Sequence, residues 1–221
     1  MNFEWMAIRG SGLVAYALLS AATIWGLMVS TKVMGPMRAK QVTFFHESLS
    51  IGALLATGVH MWALKNDEYI KFALRDLFVP GAATWRPNAV AFGVIGFYSL
   101  AIITVSFYMK KLIGQTVWRA IHFGAFGTFV VAMLHGLMAG TDSSNPFVFG
   151  LYIATGAMVI MLLIVRFAQA STPERAPRPR PTAAASGGAT NATGVVKATR
   201  PEQSVTERIR AERIRAERAE T

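Results

Sequence analysis

Residues 42–64, VTFFHESLSIGALLATGVHMWAL, decide the fold. The run carries a single charge, Glu47, and two histidines, His46 and His60, fourteen positions apart. A helix rises about 1.5 Å per residue, so this run would extend for roughly 35 Å. That is enough to cross a hydrocarbon core about 30 Å thick. Residues 117–139 have the same character and hold the chain's other two histidines, His122 and His135, thirteen apart. Each pair is therefore separated by roughly 20 Å along its helix, with one imidazole towards each leaflet. Two such helices facing each other present four imidazoles at two depths. That arrangement would hold two stacked haems, each iron taking one imidazole on either side.

Three further runs are long enough to span, at about residues 10–31, 88–109 and 145–167, and two of them begin at prolines, Pro87 and Pro146. Proline is favoured at the first position of a helix, where its missing N–H costs nothing. A backbone in lipid must satisfy its own hydrogen bonds, and helices do so within one segment. The expected fold is all-α, a polytopic membrane bundle of about five transmembrane helices occupying residues 1–170. From residue 171 the composition turns to Pro, Arg, Ala and Thr, ending in Glu-Arg-Ile-Arg repeats. Such a segment has too little apolar surface to form a core. It reads as a disordered basic tail, residues 171–221, with a short charged helical end.

Composition narrows the chemistry. Apolar residues make up 53% of the 221-residue chain and charged residues 15%, well under the quarter or so usual in soluble domains. The net charge of +10 reads as the lysine and arginine bias of cytoplasmic loops, with no nucleic-acid partner. The absence of cysteine excludes disulfides, thiolate-ligated haem, iron–sulfur clusters and thiolate zinc sites. The N-terminal run lacks a basic leader and is too long for a signal peptide, so it is expected to remain as a membrane helix.

Orientation follows from the short connections. Lys32, Arg38 and Lys40 lie in the first, Lys110 and Lys111 in the third, and Asp142 alone in the fourth. Placing the first, the third and the C-terminus in the cytoplasm puts the N-terminus outside, in a multi-pass protein of the cell (inner) membrane. His46 and His122 then form an inner pair, and His60 and His135 an outer one. Arg119, Arg38 and Lys40 are candidates to meet the propionates of an inner haem, and Arg75 or Arg86 those of an outer one. Glu47, beside His46, is placed to pair with Arg119 or to tune that histidine. Residues 65–87, apolar for a connection, would form either a lid over the outer haem or an amphipathic segment on the interface. Gly52, Gly58, Gly124 and Gly127 would let a flat group approach the backbone, or would serve plain helix contacts. One angular feature stays open. At about 100° per residue, thirteen residues end roughly 140° from the starting face. Either the second histidine helix is locally irregular or the two haems meet different sides of it.

The chain resembles the ferric reductase-like transmembrane domain family, which includes NADPH oxidases, ferric reductases and the haem subunit of the bacterial methionine-sulfoxide reductase system. The carriers are the opening Arg9-Gly10-Ser11-Gly12-Leu13, Phe45-His46 with His60, Trp118-Arg119-Ala120-Ile121-His122, and His135 through Asp142. The resemblance covers about residues 5–168. It implies two b-type haems with the four histidines as axial ligands, passing electrons from the cytoplasmic to the outer face. The departure is the missing flavin and nicotinamide module, since no dinucleotide fingerprint follows the core. The expected donor is thus a separate cytoplasmic flavin reductase or quinol, with flavin present only through that partner. The acceptor would be a protein, a metal ion or oxygen on the outer face, and the chain the electron-transfer component of an oxidoreductase system. The alternatives are a cytochrome b subunit of a quinol-oxidising complex and a histidine-lined metal-ion transporter.

The tail gives the first prediction. A chain truncated after Ala170 is expected to insert in the membrane and bind as much haem as the full chain, read from its absorption spectrum. Transfer from a cytoplasmic donor should weaken in the truncated chain, because the exposed positive charges that attract it are gone.

Overall fold

Segments without charge over some twenty residues leave the backbone no partner but itself, and in this protein they become helices. The computed structural model describes residues 3–33, 35 and 39–171. Arg38 and the tail from residue 172 onward, expected above to bind an inner haem and to be disordered, lie outside the described residues. Seven helices follow in order: α1 (Phe3–Ser30), α2 (Ala39–Lys65), α3 (Leu74–Phe78), α4 (Pro87–Tyr108), α5 (Lys110–Phe123), α6 (Ala125–Ala139) and α7 (Pro146–Ser171). No strand occurs among the described residues. Five helical spans are long and apolar enough to cross a membrane: α1, α2, α4, α5 with α6, and α7. The chain is an all-α, multi-pass membrane protein. Leu55, Trp62, Ile160 and Ile164 are each at least 60% exposed, an outward apolar display suited to lipid.

Local chemistry sets the helix ends. Pro87 opens α4 directly after Arg86, whose φ of 42° turns the chain out of the preceding segment. The Asn145 side-chain oxygen accepts the Phe147 N–H at 2.9 Å, capping α7 with Pro146 in its first position. The fourth span is not one helix. Met109 alone separates α4 from α5, Gly114 breaks α5 at φ 82° and ψ 161°, and Gly124 separates α5 from α6. A side chain at Gly114 would be strained in that conformation. The Gly124 N–H bonds the Ile121 carbonyl three residues back, at 3.0 Å, a turn tighter than the α-helix. Such a turn adds roughly 2.0 Å of rise and 120° of rotation per residue. The span between His122 and His135 is therefore locally irregular, the first of the two options left by the thirteen-residue spacing.

Packing divides the bundle into two clamps. Helix α1 packs along α2 and also touches α6 and α7, while α4 packs along α6 and touches α2, α3 and α5. No Cα of α2 comes within 8 Å of a Cα of α5 or α6, although packed helices run only about 8–10 Å apart. The two histidine-bearing spans therefore face each other across a gap. Tyr16, Phe129, Tyr152 and Val159 bind α1, α6 and α7 together on one side, with the Tyr16 and Thr155 hydroxyls 2.7 Å apart. Leu19, Ala53 and Leu100 join α1, α2 and α4 on the other. Residues between α2 and α4 fold back as a third cluster, in which Phe72, Leu77 and Ala83 bury against Val90 and Val94.

Ala53 is fully buried where those three helices meet, so extra volume there has nowhere to go. Ala53→Leu should lower stability by about 1–3 kcal/mol, read as a lower thermal midpoint in detergent. Leu55→Ala, on the exposed side of the same helix, should change it far less.

Candidate functional site: two facing histidine pairs

The four histidines meet in two pairs across the gap. His46 of α2 faces His122 of α5, with ring centres 5.9 Å apart and planes at 72°. His60 of α2 faces His135 of α6, with centres 6.3 Å apart and planes at 77°.

Three of these rings rest against a glycine of the clamping helix. His60 lies on Gly12 of α1, where an added Cβ would stand 3.0 Å from the ring, and His46 lies on Gly26, at 3.3 Å. Gly12 and Gly26 are fourteen residues apart, as are His60 and His46, so the antiparallel helices α1 and α2 keep register over their whole contact. His135 lies on Gly93 of α4, where a Cβ would come within 2.7 Å. The Nδ1 atoms of His60 and His135 bond the backbone carbonyls of Ile8 and Ala89, at 2.9 and 2.8 Å. A carbonyl only accepts, so Nδ1 carries the proton and the neutral ring keeps its lone pair on Nε2, free to bind a metal.

The other pair is built differently. His46 lies beside the Ala22 backbone, but its Nδ1 is buried without a hydrogen bond of proper geometry. His122 stacks on Trp118, ring centres 5.0 Å apart and planes at 22°, and Lys110 Nζ sits 4.2 Å from the centre of the same indole. Glu47, beside His46, accepts a 2.5 Å hydrogen bond from the Tyr108 hydroxyl. The expected pairing of Glu47 with Arg119 does not form. Arg119 is exposed, and the tyrosine at the end of α4 lies closer to the carboxylate.

A cavity of about 830 Å³ opens around the His60–His135 pair, lined among others by Gly12, Gly93, Phe97 and Tyr152. Its walls include Phe72, Leu77 and Trp85 from the segment between α2 and α4. Arg86 is not on this wall. It is exposed, hydrogen-bonds the Met138 carbonyl and stands over Trp85, 5.0 Å from the ring centre. Arg75 is exposed on α3. The arginine that does line the cavity is Arg9, ion-paired with Asp142 and resting 3.8 Å over the centre of the Trp5 ring. Its signal in the sequence was a lone cation one turn before Gly12 at the start of an apolar run.

Gly52 touches Leu18, and Gly58 and Gly127 meet nothing within 4 Å. The glycines that receive the rings sit instead on the helices that carry no histidine. Among the described residues no three His, Cys, Asp or Glu side chains converge; each site brings two histidine rings together across the gap. No family model, curated protein or solved structure matches the chain.

Arg9 and Asp142 are both partly shielded, at 28% and 15% exposure, and they tie the start of α1 to the connection before α7. A double-mutant cycle with Arg9→Leu and Asp142→Ala should give a coupling of about 1 kcal/mol or more, above the usual exposed ion pair. Thermal unfolding of the four proteins in detergent measures it.

Proposed function

We propose that this chain is a di-haem, b-type electron carrier of the cell membrane, of the ferric reductase-like kind its motifs resemble. It would take electrons from a cytoplasmic flavin reductase or quinol and deliver them to an acceptor on the outer face. The observation that carries this reading is the distance between facing rings, 5.9 and 6.3 Å. Two imidazole nitrogens bound to one metal at about 2 Å each put their ring centres roughly 6 Å apart. The gap between α2 and the α5–α6 span supports the same reading, since a flat macrocycle needs its ligand helices kept out of contact. So does the cavity at the His60–His135 end, which falls among pockets sized for large organic ligands.

In this reading His46 and His122 hold one haem and His60 and His135 the other. A haem held between two imidazoles would supply single-electron transfer at each site. The protein's own groups do the rest. The Ile8 and Ala89 carbonyls hold the outer imidazoles in the tautomer that binds metal. Phe72, Leu77 and Trp85 wall the outer cavity from water, and Arg9 offers a cation at its edge. Lys32, Lys40, Lys110 and Lys111 gather at the His46–His122 end, and the lysine bias of inner loops supports reading that end as the cytoplasmic one. A metal-ion transporter fits the donor set less well, because a bare ion needs three or four protein ligands at one point.

The purified chain should carry two haem b groups, measured as pyridine haemochromogen against protein concentration. His46→Ala and His122→Ala should each remove one spectral component, and His60→Ala and His135→Ala the other. A stable, folded chain that never takes up haem would sink this reading, and a spectrum common to His46→Ala and His60→Ala would overturn the pairing.

A further inference from the structure

In a helix the carbonyl of residue i already accepts the N–H of residue i+4, and the side chain of i+4 stands over it on the same face. A donor from a neighbouring helix reaches the second lone pair of that oxygen only if the covering side chain is missing. The two outer imidazoles use this opening. His60 bonds the Ile8 carbonyl, and the residue four positions on is Gly12; His135 bonds the Ala89 carbonyl, and the residue four positions on is Gly93. At the inner pair the same device is incomplete. Gly26 stands four residues after Ala22 and His46 lies beside that backbone, yet its Nδ1 makes no hydrogen bond of proper geometry. His122 rests on the face of Trp118 rather than on a bared carbonyl.

We propose that Gly12 and Gly93 are positioning residues that make the outer imidazoles stronger donors than the inner ones, so that the metal held by His60 and His135 has the lower reduction potential. This rests on the haem reading above. The physical reason is direct. An Nδ1–H donated to a carbonyl raises the basicity of the opposite nitrogen. A more basic ligand stabilises the more highly charged, oxidised metal, and ligand hydrogen bonding is a recognised lever on haem potential. The inner pair, with no properly formed bond at His46 and His122 stacked on Trp118, stabilises the oxidised metal less. The inner site therefore fills with electrons first, and the outer site, once reduced, is the stronger reductant.

The test is an equilibrium redox titration of the purified full chain carrying haem b, followed by absorbance. Two components are expected, with the lower one lost in His60→Ala and kept in His46→Ala. Gly93→Ala, whose Cβ displaces the His135 ring from its carbonyl, should raise the lower component towards the upper one and leave the upper in place. Gly58→Ala, which meets no atom within 4 Å, should move neither. If Gly93→Ala loses the outer haem altogether, Gly12→Ala, with its milder approach of 3.0 Å, decides the matter by the same shift. A lower component that disappears in His46→Ala, or that stays unmoved in the glycine variant retaining both haems, overturns the inference while leaving the haem reading intact. Failure to bind haem at all overturns that reading instead.

Discussion

The bundle depends on keeping its two histidine helices apart while holding each of them still. Lipid tails are as apolar as leucine, so no hydrophobic force draws helices together in a membrane, and close packing and interhelical hydrogen bonds must do it. Here those contacts run within the antiparallel clamps, α1 with α2 and α4 with α6, and are lacking between α2 and α6. Glycines at the crossing points let an imidazole lie directly on the neighbouring backbone. A ring pinned this way has its orientation set by the clamping helix.

The two ends of the gap are finished differently. At the His60–His135 end, a folded connection with its own buried cluster, Phe72, Leu77, Ala83, Val90 and Val94, walls a cavity edged by the Arg9–Asp142 pair. At the His46–His122 end the surroundings are aromatic and basic, with Trp118 between Lys110 and His122 and Tyr108 holding Glu47. Phe44 and Phe45 stand half or more exposed beside His46. One end is shielded by the chain's own residues, and the other presents rings and lysines to whatever meets it.

The fourth span illustrates how a sequence irregularity is absorbed. A straight helix would carry His122 and His135 to different faces, and both must meet partners on α2 whose own spacing is fourteen. The break at Gly124 lengthens and rotates the shorter interval, and the kink at Gly114 frees the start of α5 from the course of α4. Glycine is needed at position 114, where φ is positive. At 124 it allows a tight turn, because a Cβ there would stand 2.9 Å from the Ile121 carbonyl oxygen.

Sequence alone determined the class of fold, the five spans and the position of each histidine along its helix, because a helix converts residue spacing into distance along its axis and apolar length into a membrane crossing. Pro87, Asn145 and Pro146 marked helix starts for the same local reason. What only the tertiary structure decided was azimuth and neighbourhood. Gly12, Gly26 and Gly93 gain their role from rings that arrive from other helices, dozens of residues away in the chain. Arg9 finds Asp142 across 133 positions, and Glu47 finds Tyr108 rather than Arg119. Spacing along one helix says nothing about which face a second helix will cover, and that choice is made by packing summed over the whole bundle.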